Sequence, residues 1–279
     1  MSDLESESAF FKSQTGIIDD DELKQHILSV WEKAYKVHLY PCTRRFASAK
    51  LKISRLPSYP HFLQLGKDRD AAIFLDIGCC FGNDVRKAVA DGYPVDKVIA
   101  SDLRSEFWDL GHELFRSTPE TFSVPFIQGD VFDSAFLARA QISYAPSSNR
   151  APVLRSLTTL TPLIGHISAI HASAFFHLFN EEQQLELARR MASLLSPEPG
   201  SIIFGSHVGQ PHKSVRTSRR TTNGRDIFCH SDQSWRDLWN GQVFQKGKVQ
   251  VDSQLIRVGR PDFSQTEEAY LLVWSVIRL

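Results

Sequence analysis

Apolar residues along most of this chain fall into short runs that alternate with segments of helical periodicity. The runs typical of buried strands are Ala72–Asp76, Lys97–Asp102, Pro125–Gln128, Ile164–Ile170 and Ser201–Phe204. Apolar residues at helical spacing between them predict helices over about Asn83–Asp91, Ser105–Phe115 and Glu181–Leu195. Because strands that alternate with helices usually form parallel sheets, the pattern predicts an α/β fold with crossover helices.

Both ends of the chain differ from this alternation. At the C-terminal end, Val249–Val258 and Ala269–Arg278 predict two strands joined by a turn at 259–262. At the N-terminal end, a polar stretch precedes a helical pattern from Leu23 to Tyr35, which the acidic run at 19–21 caps. Prolines and aromatic residues follow at 40–46 and 56–62, which we interpret as a lid or access loop. We therefore expect an N-terminal helical lid extension over residues 1–70 and a main domain over residues 71–279.

Composition and charge narrow the class of protein. The chain has 279 residues, of which 42% are hydrophobic, and this is enough for one large buried core. Lys plus Arg equals Asp plus Glu at 32 each, so nothing favours a nucleic-acid partner or an anionic membrane. The acidic first residues have no apolar segment after them that would direct membrane insertion, and we expect a cytoplasmic protein with a small-molecule partner.

The four cysteines are Cys42, Cys79, Cys80 and Cys229, and they contain no Cys-x-x-Cys pair. This spacing predicts neither a disulfide framework nor a zinc site. The histidines likewise lack the close spacing of a metal-ligand set, so no metal is expected.

The residues after the first predicted strand carry the main chemical information. An apolar run ends at Asp76 and continues into a turn that begins with Gly78 and ends with Gly82. A strand, a tight loop and a helix N-terminus in this order are typical of nucleotide-binding α/β folds. The bulky residues at 79–81 replace the glycine spacing that a pyrophosphate needs, so an adenosine ligand without a pyrophosphate fits better.

Two further acids follow the next predicted strands. Asp102 ends the second strand, and Asp130 ends the third. The number of residues between Asp76 and Asp102 is close to the spacing at which an acid binds the ribose hydroxyls in dinucleotide-binding folds. Together with Asp76 they outline a slot for an adenosine group. The alternative for each acid alone is a turn former or a helix cap.

These residues resemble the first motif of the class I S-adenosylmethionine-dependent methyltransferases, which is acid-x-Gly-x-Gly-x-Gly. The segment from Asp76 to Gly82 departs from it at the middle glycine. More narrowly, the segments 75–87, 101–111 and 171–179 look like fungal methyltransferases of meroterpenoid pathways, such as those of austinol, terretonin and andrastin. The resemblance covers roughly residues 40–279 and implies a Rossmann-like, seven-stranded, mostly parallel sheet with an antiparallel C-terminal hairpin.

The resemblance also implies S-adenosyl-L-methionine as cofactor. By matching position, Asp76 and Gly78 lie near its methionine part, Asp102 at the ribose, and Asp130 with Val131 at the adenine. The remaining residues assigned to the cofactor are Cys79, Gly82 and Leu103.

The acceptor side depends on histidines at the same edge of the predicted sheet. His171 follows the fourth strand, and His230 and His207 occupy positions facing the same edge. We take His171 and His230 as the catalytic candidates, and the alternative for each is a packing residue. A carboxylate acceptor is already ionised at neutral pH and needs only orientation, whereas a phenol or alcohol needs a base.

Other residues are candidates for holding the acceptor. Arg44, Arg45 and Arg55 carry guanidinium groups that pair with a carboxylate, or they are solvated surface charges. The basic stretch from His212 to Arg220 is interpreted as a mobile loop. The aromatic residues Phe175, Phe176, Phe179, Trp235 and Trp239 are core residues or walls of a hydrophobic pocket.

The expected function is therefore an O-methyltransferase of secondary metabolism that methylates a carboxylate of a hydrophobic terpenoid/polyketide hybrid. The oxygen atom is favoured by the resemblance. The alternatives are methylation of a phenol, an enol or an amine, or a cofactor-binding regulator without catalysis. A homodimer is also expected.

Overall fold

The computed structural model describes residues 3–37, 51–146, 150–217, 226–259 and 268–279. Its strands are β1 Ile73–Ile77, β2 Val98–Asp102, β3 Phe126–Gln128, β4 Ile167–His171, β5 Ile202–Gly209, β6 Ser214–Thr217, β7 Asp226–Cys229, β8 Val249–Val258 and β9 Ala269–Arg278. Its α-helices are α1 Asp3–Thr15, α2 Asp20–Val37, α3 Tyr59–Asp68, α4 Asn83–Ala90, α5 Ser105–Leu114, α6 Glu181–Leu194 and α7 Asp232–Trp239. Short 3₁₀ helices connect several of these elements.

The main sheet has seven strands in the order β3-β2-β1-β4-β5-β9-β8. Strands β1 to β5 pair in parallel, whereas β9 pairs antiparallel with both β5 and β8. The predicted α/β fold with an antiparallel C-terminal strand pair is confirmed. Strand order reverses between β1 and β4, which opens a crevice at their carboxyl ends where α/β proteins bind ligands.

Helices cover both faces of this sheet because successive strand residues point to opposite sides. Ile73 and Leu75 pack on the side of α6 and α7, where Trp235 and Trp239 are fully buried. Phe74 packs on the other side, against Phe62 of α3 and residues of α4. The strands that end at the crevice are therefore packed on both faces.

The N-terminal helices pack on α5 around a third hydrophobic cluster. Phe11 of α1 stacks on Phe115 with ring centroids 5.4 Å apart, and Trp31 of α2 joins the same cluster. Phe81, from the loop between β1 and α4, is also buried there. The predicted helical extension is present, with α1 as an additional helix in the polar stretch. The lid role and the domain boundary at residue 70 stay predictions.

Two loop predictions are wrong in part. The segment 56–62, interpreted as an access loop, contains the start of α3, and Pro60 lies in its first turn, where a helix needs no proline N–H. In the basic stretch interpreted as a mobile loop, Ser214–Thr217 pairs antiparallel with β7. The segment 40–46, with Arg44 and Arg45, and most of the predicted 259–262 turn lie outside the described residues.

None of the helices in the described ranges is long and apolar enough to cross a membrane. In the same ranges, no group of three or more His, Cys, Asp and Glu side chains is arranged to hold a metal ion.

Candidate functional site

The loop between β1 and α4 requires glycine at both of its ends. Gly78 has φ +73° and Gly82 has φ +71°, a backbone conformation that disfavours side chains. A Cβ atom at Gly78 would also lie 2.7 Å from the Phe175 ring, and one at Gly82 would lie 2.6 Å from the Trp108 ring. Between them, Cys80 adopts φ +52° although it carries a side chain. The loop is therefore tightly curved, as the glycine positions predict.

Hydrogen bonds attach this loop to β2. The N–H groups of Gly78 and Cys79 both donate to the Ser101 carbonyl, at 2.8 and 3.1 Å. The Cys80 N–H donates to Oδ2 of Asp102 at 2.9 Å. The acid at the end of the second strand thus holds the glycine loop in place.

Asp102 combines a half-buried carboxylate with an apolar neighbour. Its Oδ1 accepts the Arg104 N–H at 3.1 Å. Burial raises the pKa of Asp102, and the N–H groups of Cys80 and Arg104 oppose this rise. Leu103, next in the chain, is 50% exposed, so a hydrogen-bond acceptor and an apolar surface lie side by side at the end of β2.

Asp130 and Val131 begin the loop after β3. The Gly129 N–H donates to the Asp102 carbonyl at 3.1 Å, which brings this loop beside the end of β2. Oδ1 of Asp130 accepts the Phe132 N–H at 2.9 Å. The exposed Asp130 side chain therefore stabilises a turn, which was the alternative role considered for each acid. Val131 is buried, and its carbonyl accepts Nη1 of Arg190 at 3.0 Å.

Asp76 and His171 face each other across neighbouring strands. They are register partners in β1 and β4, and Nδ1 of His171 lies 2.8 Å from Oδ1 of Asp76. Nε2 of His171 lies 2.7 Å from Oγ of Ser173, which itself accepts the Ser206 N–H at 3.2 Å. We assign Nδ1–H as the donor to Asp76 and the Ser173 hydroxyl as the donor to Nε2, because this arrangement satisfies the whole chain of groups.

This chain of polar groups is buried throughout. Burial raises the pKa of Asp76, and the His171 imidazole acts in the opposite direction. Both ring nitrogens of His171 are engaged, so the groups of this chain that remain for a ligand in the cavity are the second carboxylate oxygen of Asp76 and the Ser173 hydroxyl.

His230 lies in a different environment. Its Nδ1 is 2.9 Å from Oγ of Ser234, and its ring packs against Phe228 and Trp235. Burial lowers the pKa of His230 to about 4. In the part of the chain that the structure describes, no hydrogen bond joins His230 to Asp76 or His171. The structure therefore places the first of the two catalytic candidates, His171, beside the glycine loop and, among the described residues, gives no such contact for His230.

His207 is fully enclosed on β5. Nε1 of Trp274 donates to its Nδ1 at 2.9 Å, and burial holds its pKa well below the usual value. His207 is therefore a buried packing residue, which was the alternative considered for the histidines.

A small cavity opens beside the glycine loop, and its lining includes a residue that no sequence motif marks. Lys52 lines it, together with Asp76, Gly78, Asp84, His171 and Ser173. Lys52 precedes the first strand and has no helical or strand periodicity around it, so sequence reasoning missed it. Arg55, named as a possible carboxylate partner, instead pairs with Glu7 at 2.8 Å.

Comparisons with known proteins show which family this chain resembles. Residues 2–47 match the model of the meroterpenoid methyltransferase N-terminal domain. The O-methyltransferase phiE of a fungal species is 31% identical over 233 residues, which cover 82% of this chain and 68% of that protein. The asnovolin E/chermesin D methyltransferase nvfJ of Aspergillus novofumigatus is 31% identical over 236 residues, covering 85% and 73%.

A solved structure shares the fold. The 1,6-didemethyltoxoflavin-N1-methyltransferase of Burkholderia thailandensis, crystallised with S-adenosylhomocysteine, aligns with a TM-score of 0.51 at 15% identity. The alignment covers 91% of this chain and 89% of that one.

Proposed function

Because this chain belongs to the fungal meroterpenoid methyltransferases, we propose that it transfers the methyl group of S-adenosyl-L-methionine to an oxygen atom of a small hydrophobic molecule. The observation that carries the proposal is the glycine loop from Gly78 to Gly82 held by the carboxylate of Asp102. This arrangement combines close backbone approach with an acceptor for hydroxyl groups at the crevice.

The residues at the crevice fit the cofactor chemically. Asp102 is proposed to accept hydrogen bonds from the ribose hydroxyls, with exposed Leu103 beside the adenine. Asp130 and Val131 are proposed to border the adenine from the loop after β3. The methionine part is assigned to Asp76, Gly78, Cys79 and Gly82, where an acid and a tight loop lie together. When bound, the cofactor supplies an electrophilic methyl group on a sulfonium.

We propose a carboxylate as the acceptor group, so that the product is a methyl ester. Both ring nitrogens of His171 are hydrogen-bonded, and His230 has a pKa of about 4. A site whose histidines are engaged or weakly basic suits an acceptor that arrives already ionised, as a carboxylic acid does at neutral pH. The protein then orients the carboxylate oxygen toward the methyl carbon and excludes water.

A hydroxyl acceptor is the second candidate, and the chain Asp76–His171–Ser173 favours it. In this case the acceptor proton passes to Oγ of Ser173 while the Ser173 proton moves to Nε2 of His171, and Asp76 stabilises the imidazolium. His171→Gln separates the two: a carboxylate acceptor keeps most of its turnover, whereas a phenol or enol acceptor loses it. His230→Gln tests the remaining candidate base in the same assay.

The experiment that tests the cofactor is calorimetric titration with S-adenosylmethionine and S-adenosylhomocysteine, with NADH as the control. We expect micromolar binding of the first two and none of NADH. Asp102→Asn should weaken S-adenosylhomocysteine binding by about 10-fold or more, through loss of charge-assisted hydrogen bonds. Asp109→Asn, at an exposed position of α5, is the matched control and should bind normally.

Absence of binding by the native protein would contradict the proposed cofactor. Binding without turnover of any hydroxyl, carboxyl or amine acceptor would favour a regulatory protein instead. The cytoplasmic location, the homodimer and the lack of a nucleic-acid partner stay predictions.

A further inference from the structure

Lys52 places a positive charge in the cavity beside the glycine loop. Lys52 lines this cavity with Asp76, Gly78 and Asp84, and it is half-buried. Its positive charge acts on the cavity acid, since it lowers the pKa of Asp76 against the effect of burial. Among the described residues, Lys52 makes no ion pair with any carboxylate within 4.0 Å. An ammonium group in such a place is available to an anionic ligand.

The backbone around Lys52 is fixed to the helix that follows the loop. Oδ1 of Asp84, in the first turn of α4, accepts the N–H groups of Lys52 and Ile53 at 2.8 and 2.9 Å. Asp84 is buried, and both donors share one of its two carboxylate oxygens. On the other side, Glu7 of α1 accepts the Leu51 N–H at 3.1 Å. The backbone at Lys52 is therefore attached both to α1 and to α4, the helix that follows the glycine loop.

The cavity pairs this cation with an acid. Asp76 lines the same space, hydrogen-bonded to His171 on one oxygen. A ligand group with both an ammonium and a carboxylate fits this cavity, because the ammonium can pair with Asp76 and the carboxylate with Lys52. An α-amino acid group has this chemistry.

We infer that Lys52 binds the α-carboxylate of the cofactor's methionine part, while Asp76 receives the ammonium group of the same methionine part. The inference rests on the proposed cofactor. If Lys52 has this role, the segment before β1 contributes a residue to the cofactor site. The other proposed cofactor residues lie at the strand ends and in the loops that follow them.

The test compares two ligands that differ in the amino acid group. S-adenosylhomocysteine carries it, whereas 5′-deoxy-5′-methylthioadenosine has the adenosine and sulfur without it. In calorimetric titrations, Lys52→Met should lower the affinity for S-adenosylhomocysteine by about 10-fold or more, as expected for a lost charge-assisted hydrogen bond. Its affinity for methylthioadenosine should equal that of the native protein.

Two variants serve as controls. Lys52→Arg keeps the charge and should retain most of the S-adenosylhomocysteine affinity. Lys24→Met, at an exposed position of α2, should leave both affinities unchanged.

Three results would overturn the inference. Equal losses for both ligands in Lys52→Met would mean that Lys52 only maintains the shape of the site. Unchanged affinity for both, with a raised KM for a carboxylate acceptor, would assign Lys52 to the acceptor. Failure of the native protein to bind S-adenosylhomocysteine would instead remove the proposed cofactor, and this outcome is distinct because it does not involve the variant.

Discussion

His230 is a buried imidazole whose charged form is disfavoured in the folded protein. Burial lowers its pKa to about 4, whereas an unfolded histidine titrates near 6.5. Between these values the unfolded chain binds the extra proton, so the free energy of unfolding falls as the pH drops from about 6.5 toward 4. His230→Gln removes this dependence. We expect the stability loss between pH 7 and pH 4.5 to be smaller in the variant by about 2 kcal/mol, measured by urea unfolding.

His212→Gln is the matched control for this experiment, since His212 is exposed in the connection that precedes β6. It should show the same pH dependence as the native protein. An equal stability loss in native protein and His230→Gln would mean that His230 is accessible to protons in the folded state.

Single residues of the site differ in how far sequence could predict them. Asp76, Asp102 and Asp130 were predictable as a group because each lies at or just after the carboxyl end of a strand, and the carboxyl ends of parallel strands meet at one edge. The bond between Asp76 and His171 joins residues 95 positions apart and depends on the pairing register of β1 with β4, which sequence does not give. The position of Lys52 depends on a hydrogen bond from its N–H to the Asp84 side chain, and no sequence pattern predicts this bond.

At the scale of elements, helix α6 supports the loop that carries Asp130 and Val131. Arg190 is buried on α6, and its Nη1 donates to the carbonyls of Val131 and Leu137 at 3.0 and 2.5 Å. Arg190→Met keeps the apolar stem but leaves both carbonyls without this donor. We expect faster amide hydrogen exchange over residues 130–138 and weaker S-adenosylhomocysteine binding, measured by mass spectrometry and calorimetry.

The adjacent arginine provides the control. Arg189 is exposed on the same helix, so Arg189→Met should change neither exchange nor binding. Unchanged exchange over 130–138 in Arg190→Met would show that the loop keeps its shape without the guanidinium.

Elements with strong periodicity were predicted well, and the others were not. The strands β8 and β9 match their predicted bounds, because β9 is a long, mostly apolar run and β8 begins with alternating buried and exposed positions. Helix α1 was missed because its apolar residues are concentrated at Phe10 and Phe11 and do not recur along one face. Strand β6 was missed because most of its residues are exposed, which leaves no alternation of apolar and polar positions.

At the scale of the whole molecule, Phe81 joins the N-terminal helices to the sheet domain. It is buried in the cluster of α1, α2 and α5, and its own loop is hydrogen-bonded to β2. We expect α1 and α2 to unfold together with the sheet in one cooperative transition, with equal calorimetric and van't Hoff enthalpies. Phe81→Ala should cost about 3–5 kcal/mol by opening a cavity in the shared cluster.

Ile18→Ala is the control for this experiment, because Ile18 is 75% exposed in the same N-terminal segment. It should leave the midpoint temperature nearly unchanged. Two separate transitions in the native protein would instead support independent folding of the two parts divided at residue 70.

The position of β9 between β5 and β8 has a consequence for folding during synthesis. Strand β8 emerges first, and its hydrogen-bonding partner in the sheet is β9, which is made later. Until β9 is inserted, β5 and β8 both present unpaired edges that other chains can join. A chain terminated before residue 269 would therefore lack β9 and leave β5 and β8 without their shared partner, and such products are expected to bind chaperones.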